Sequence, residues 1–167
     1  MQIAPLYSEV TIADTGQLSF GNSTADLPFS ISAWVNMDDA TNFPIVTKGT
    51  FNTDGEYHFR TNASDALVLA LYDESAASTH ESGLTTALTS QEGNWIHVAA
   101  TYDGSGGTSA NAGITLYVNG VSEALTLSDA GTYVAMEDLA QEIRIGNSED
   151  TNYAGGQISQ IRIYNKE

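Results

Sequence analysis

The chain alternates. Phe29-Ser-Ile-Ser-Ala-Trp-Val35 sets Phe29, Ile31, Ala33 and Val35 on one face and Ser30, Ser32 and Trp34 on the other. A period of two is that of a strand with one buried face; an amphipathic helix repeats every 3.6 residues. Trp95-Ile-His-Val-Ala-Ala-Thr-Tyr102, Ile114-Thr-Leu-Tyr-Val118, Glu142-Ile-Arg-Ile145, Gln160-Ile-Arg-Ile-Tyr164 and Glu56-Tyr-His-Phe-Arg60 repeat the pattern. Each is predicted to be a half-buried strand. Ala66 to Tyr72 is apolar on both faces and is predicted to be a central strand, covered on both sides.

Turn chemistry separates these runs. Asn119-Gly120 directly follows a strand, and a type I′ hairpin turn needs positive φ at both central residues. Asp54-Gly55, Asp103-Gly104 and Gly146-Asn147 mark other turns. Only Ala135 to Glu142 offers a helical turn or two. Many short strands without alternating helices predict an all-β, two-sheet antiparallel jelly-roll sandwich. Its expected core is Phe29, Ile31, Val35, Val98, Leu116, Val118, Ile143, Ile145, Ile161 and Ile163, with Trp34 and Trp95 also inside. With 167 residues and no composition shift, the chain is expected to hold an N-terminal arm over 1–9 and one domain over 10–167. The arm carries Ile3, Leu6 and Tyr7, apolar groups that need either a partner or the domain's own edge to bury them.

Charge narrows the partners. Twenty-one acids against five bases give a net charge of −16. A nucleic-acid surface needs clustered Lys and Arg to displace counterions, so no nucleic acid is expected. Anionic membrane surfaces are disfavoured by the same sign, and no run approaches the roughly 20 apolar residues that cross a bilayer. The first residues have neither the basic nor the apolar part of a signal peptide. Cysteine is absent, so disulfides, a thiolate nucleophile and a Cys-based zinc site are excluded.

Five short marks, in order, resemble the laminin-G-like, concanavalin A-like lectin and glucanase jelly rolls. They are Phe29-Ser-Ile-Ser-Ala-Trp-Val35 with Ile45-Val-Thr-Lys-Gly49; Trp95 to Gly104; Leu116-Tyr-Val-Asn-Gly120; Ile143-Arg-Ile-Gly146; and Gly156 to Asn165. The resemblance runs from about Val10 to the C-terminus. It implies two antiparallel sheets with loops at the rim, and a range of functions from lectins and adhesion modules to glycosidases and virion surface proteins. Some relatives hold a structural calcium near an N-terminal Asp-Gly turn, helped by an acid where this chain has Ser159-Gln160. Asp14 is the one acid of the corresponding turn here, so it is the candidate metal residue. Calcium takes six to eight oxygens, which a single carboxylate supplies only with many carbonyls and waters.

Glycosidases of this fold project carboxylates from alternate positions of one strand, two of them about 5–5.5 Å apart in retaining enzymes. No Glu-x-Asp-x-Glu triplet occurs, no Gly-x-Ser-x-Gly elbow occurs, and the three His lack metal-ligand spacing. The resemblance, together with the missing carboxylate pair, implies a non-catalytic binding module for a glycan or surface polysaccharide. Candidate ligand residues are Glu56, His58 and Arg60, on one face of a strand, where charged planar groups beside an aromatic suit sugar hydroxyls. A salt-bridge ladder with Arg144 and Arg162 is the competing reading. Asp103 and Asn111 lie in the long Gly/Ser-rich connection Asp103–Gly113, the kind of loop that carries function. Asn147 and Tyr153 bound the rim segment 147–153, and Asp73 to His80 is a further rim candidate. The second functional expectation is a bacteriophage virion surface protein, a decoration or attachment module that meets other virion proteins. Either way the expected location is extracellular or on a particle surface.

Overall fold

The computed structural model describes residues 8–84, 86–149 and 152–167. Residues 1–7 of the expected arm, and Asp150 and Thr151 of the rim segment, lie outside the described residues.

The strands are β1 (Val10–Ile12), β2 (Phe29–Met37), β3 (Pro44–Lys48), β4 (Tyr57–Thr61), β5 (Leu67–Asp73), β6 (Ser78–Leu84), β7 (Ile96–Tyr102), β8 (Ile114–Val118), β9 (Val121–Ser122), β10 (Leu125–Ala130), β11 (Ile143–Ile145), β12 (Asn147–Ser148), β13 (Asn152–Tyr153) and β14 (Gly156–Tyr164). One sheet has seven strands in the order β1-β11-β3-β4-β5-β6-β10; the other has five, β14-β2-β7-β8-β9. All described pairings are antiparallel, and β12-β13 is a separate small ribbon. The predicted two-sheet sandwich is what forms.

The inner faces meet in one core. Phe29, Ile31, Ala33 and Val35 of β2 are buried, at the odd positions that the alternation assigned. Phe20 stacks on Phe29 with centroids 4.5 Å apart, Tyr57 tilts against Phe29 at 5.2 Å, and Tyr102 meets it edge-on at 5.8 Å. Each such ring pair adds roughly 0.5–1.5 kcal/mol to the burial itself. β5 is buried along its whole length between β4 and β6, as its two apolar faces predict. Asn119 and Gly120 take φ of 51° and 81°, the left-handed pair that joins β8 to β9.

Four expectations need correction. Val118, Ile145, Ile161 and Ile163 are only half-buried; β14 is an edge strand, so one flank of its isoleucines meets solvent. Trp34 and Trp95 are 37% and 44% exposed and stand on the outer side of the five-stranded sheet. Glu56–Arg60 is covered on both faces apart from Arg60, because β4 lies between β3 and β5 with the core below and other side chains above. Ala135–Glu142 forms no helix. Its backbone donors are claimed by buried acids instead: Met136 N donates to Asp26 Oδ1 at 2.9 Å and Leu139 N to Glu56 Oε1 at 3.1 Å. Short 3₁₀ turns occur at Glu74–Ala76, Thr89–Gln91 and Gly107–Gly113, the last inside the Gly/Ser-rich connection.

Candidate functional site

A cavity of about 210 Å³ opens on the outer face of the seven-stranded sheet. β4 supplies His58 and Arg60, β5 supplies Tyr72, and the turn between β3 and β4 supplies Phe51. Asn42 and the β12-β13 ribbon, through Ser148, Glu149 and Asn152, form the remaining wall. Register explains the grouping. His58 pairs with Thr47 of β3, and Thr47 Oγ1 donates to Asn147 O at 2.8 Å, which draws the ribbon over the sheet.

His58 is the keystone of the floor. It is almost fully buried. Its Nε2 faces Gly49 O at 2.9 Å, and a carbonyl can only accept, so Nε2 carries the proton. Nδ1 therefore accepts from Tyr72 Oη at 3.2 Å. Burial disfavours the charged ring and pushes its pKa down to about 4; the Gly49 carbonyl opposes this and Arg60 adds to it. His58 is thus neutral near pH 7, and both of its nitrogens are spent inside the protein. It positions Tyr72, 4.9 Å away and edge-on, and Tyr72 supports Phe51 at 5.3 Å.

Gly49 makes the turn possible. Its φ is +74°, and a Cβ there would lie 2.0 Å from Asp54 O. That tight closure presents Phe51, 42% exposed, as the accessible ring of the cavity. Arg60 brings a half-exposed guanidinium whose Nη1 donates to Thr61 O at 3.2 Å. An apolar ring beside a guanidinium, two amides and a carboxylate can stack on one face of a small polar ligand while hydrogen-bonding its edges. Glu149 is the one carboxylate among the described residues that line it.

The other sequence candidates fall elsewhere. Glu56 turns away from His58 and Arg60 toward Lys48 Nζ, 3.0 Å distant, with both side chains buried. Of the ladder residues, Arg144 pairs with Glu142 at 3.0 Å on the seven-stranded sheet, and Arg162 lies on the other sheet. Asp103 caps its own turn by accepting from Ser105 N at 2.8 Å. Asn111 is buried and donates to Ser128 O at 3.2 Å. Asn147 is fully buried and donates to Glu9 Oε2 at 2.6 Å, clamping the ribbon to the segment before β1. Tyr153 pairs with Asn147 in that ribbon and does not line the cavity. Asp73 accepts from Ser75, Ala76 and Val134, and its pKa is lowered: burial pushes up, but these hydrogen bonds outweigh it. Phe51, Asn42 and Tyr72 were not among the sequence candidates; for Phe51 the signal was a lone aromatic in Gly49-Thr-Phe-Asn-Thr-Asp-Gly55.

Asp14 does not fit a calcium site. Its Oδ1 receives Lys48 Nζ at 2.9 Å and its Oδ2 receives Gly16 N at 3.1 Å. Among the described residues no group of three or more His, Asp or Glu converges to hold a metal. An ammonium already fills the place of a cation there.

Comparison with known proteins gives a consistent picture. A family model described as the concanavalin A-like lectin/glucanases superfamily (Laminin_G_3) matches residues 7–167. No curated protein sequence matches. Among solved structures, a heptameric SAP-like pentraxin from Limulus polyphemus is similar, with a TM-score of 0.54, 13% identity and coverage of 99% of this chain and 79% of that one. Domain 4 of AbnA, a GH43 extracellular arabinanase from Geobacillus stearothermophilus in complex with arabinotriose, gives 0.56 and 16%, covering 94% and 76%. A putative carbohydrate binding protein from Bacteroides ovatus gives 0.57 and 20%, covering 96% of this chain and 42% of that one. The chain thus spans less than half of the last. Among the described residues no helix is long and apolar enough to cross a membrane.

Proposed function

Because the chain belongs to the concanavalin A-like lectin/glucanase superfamily, we propose that it is a non-catalytic module that binds carbohydrate at the Phe51–Arg60–Tyr72 cavity, outside the cell or on a particle surface. The observation that carries this reading is the cavity's chemistry. Phe51 offers an exposed ring for the apolar face of a sugar. Arg60, Asn42, Asn152 and Glu149 offer donors and acceptors for its hydroxyls. Neutral His58 holds the aromatic pair in place and is itself a positioning residue. An arabinanase domain that carries arabinotriose on the same fold supports a saccharide as the ligand class.

Hydrolysis of a glycosidic bond needs two carboxyls on either side of it. Among the described residues that line this cavity, Glu149 is the one carboxylate. A glycan array probed with the folded wild-type chain, with Arg60→Ala and with Phe51→Ala tests the reading. Binding to a defined saccharide that falls about tenfold or more in both variants is expected, with the saccharide recovered intact. No signal above background from the folded wild type, or signal equal in all three proteins, would overturn it.

A further inference from the structure

The outer face of the five-stranded sheet carries a feature that the cavity above does not use. Trp34 and Trp95, the two tryptophans of the chain, are both exposed there. They border a shallow cavity of about 320 Å³ together with Ser159 and Gln160. Trp34 sits mid-strand on β2, with His97 of β7 opposite it on one side and Ser159 of β14 on the other. His97 meets the indole edge-on at 5.5 Å, which fixes the ring's orientation. Trp95 directly precedes β7 and lines the same cavity as Trp34. Past Ser159 the register of β14 slips by one residue at a bulge, and Gln160 takes a φ of 51°. A bulge re-aims a side chain, and here Gln160 joins the two tryptophans in lining the cavity.

The charge pattern of this face is unlike that of the chain. Its outward β2 positions are Ser30, Ser32, Trp34 and Asn36, and none of their partners on β7 or β14 is acidic. That is selective in a chain with 21 carboxylates. Arg162 pairs with Ser32, the next outward position along β2 from Trp34, so the fixed charge on this face opposes a cationic ligand. An anionic ligand is repelled by the net charge of −16, and so is a second copy of the chain. What remains is a neutral ligand with an apolar face and many hydrogen-bonding edges. A pyranose ring has both: axial C–H groups that settle on the electron-rich indole, and hydroxyls for Ser159 and Gln160. The volume is within the roughly 300–1,000 Å³ of small-ligand sites.

We propose that Trp34 and Trp95 form a second saccharide site, for neutral polysaccharide chains, on the opposite sheet from the Phe51–Arg60 cavity. It does not rest on that cavity, and either site can fail without the other.

Native gel electrophoresis in gels containing a β-glucan, a xylan, a mannan or polygalacturonate tests this, with tryptophan fluorescence as the second reading. Both tryptophans are at the site, so all indole emission reports on it. At least one neutral polysaccharide is expected to retard the wild type and shift its emission to the blue, and polygalacturonate is expected to do neither. Trp34→Ala and Trp95→Ala should each weaken retardation about tenfold or more, Trp34→Phe less, and Leu127→Ala, an exposed residue of the other sheet outside both cavities, not at all. Both indoles are exposed, so circular dichroism of the variants should match the wild type. The proposal is overturned by no retardation in any neutral gel, or by retardation that survives in Trp34→Ala. It is equally overturned by a concentration-dependent dimer in sedimentation velocity that Trp34→Ala dissolves.

Discussion

Lys48 Nζ lies 3.0 Å from Glu56 Oε1, and both side chains are wholly withdrawn from solvent. The same ammonium reaches Asp14 Oδ1 at 2.9 Å and the Gln141 carbonyl. Burial drives the Glu56 carboxyl upward in pKa, and the Lys48 charge opposes it. The cluster ties the segment before β2, the start of β4 and the 131–142 segment to one point. Removing one partner of a buried pair leaves an uncompensated charge, so Lys48→Met is expected to cost about 3–5 kcal/mol in urea unfolding. Adding Glu56→Gln should recover ~1 kcal/mol or more, since no buried charge is then left. A double variant no more stable than Lys48→Met alone would show that the ion pair is not the cause.

His58 should be silent to pH over most of its ordinary range. Its folded pKa is about 4 against an ordinary value of 6.5, so the unfolded chain takes up its proton first. Between those values the unfolded state binds more protons, and stability falls as the solution is acidified from pH 6.5 toward 4. The imidazole resonances of His58 are expected to stay fixed from pH 8 to about 5 in an NMR titration. A midpoint near 6.5 would mean that the ring is hydrated and that Tyr72 is held by something else.

Asp26 anchors the irregular 131–142 segment. Its Oδ2 accepts from Tyr102 Oη at 2.6 Å and Tyr133 Oη at 2.8 Å, and its Oδ1 from Met136 N at 2.9 Å. Burial raises its pKa despite these bonds. Folding therefore favours its protonated form, a contribution that is complete below 3.8 and is lost as pH rises through the raised value. Asp26→Ala removes the shared acceptor of two buried hydroxyls and an amide, at a cost of roughly 3 kcal/mol or more. Hydrogen exchange at the Met136 amide should quicken beyond what the global loss explains.

Much of this sandwich was legible in the sequence, because alternation and turn chemistry are local. The odd residues of β2, the double-sided burial of β5 and the Asn119-Gly120 turn all follow from them. Burial depth was not legible, since it depends on where a strand sits in its sheet. Ile161 and Ile163 alternate as cleanly as Ile31, but β14 is an edge and β2 is not. Ile31→Ala is accordingly expected to cost about 2–5 kcal/mol and Ile161→Ala clearly less, by the same urea measurement. Trp34 is the instructive miss. Its position already placed it with Ser30 and Ser32, and the expectation that a large ring is buried overrode the period. The cavity at His58 was half visible: the strand named His58 and Arg60, but Phe51 and Asn42 arrive through turns, and nothing local signals which strands a turn will overhang. Glu56 was misplaced for a related reason, as its partner Lys48 comes from a neighbouring strand.

The last expectation concerns cations. Asp14 is engaged by Lys48 and Gly16, and calcium would have to displace an ammonium that Glu56 also holds. An incoming divalent ion would then sit against the ammonium of Lys48, whose side chain is fully withdrawn from solvent and held by Glu56. Any cation effect should instead come from the field of a chain at −16, which divalent ions screen without regard to their size. Calcium and magnesium at equal concentration are therefore expected to raise the melting temperature by the same amount, and chelation to lower it by no more than that. Calcium selects larger, more flexible oxygen cages than magnesium, so a real site would separate the two ions. A saturable rise with calcium alone, abolished by Asp14→Asn, would show that the ammonium yields and that Asp14 is a ligand.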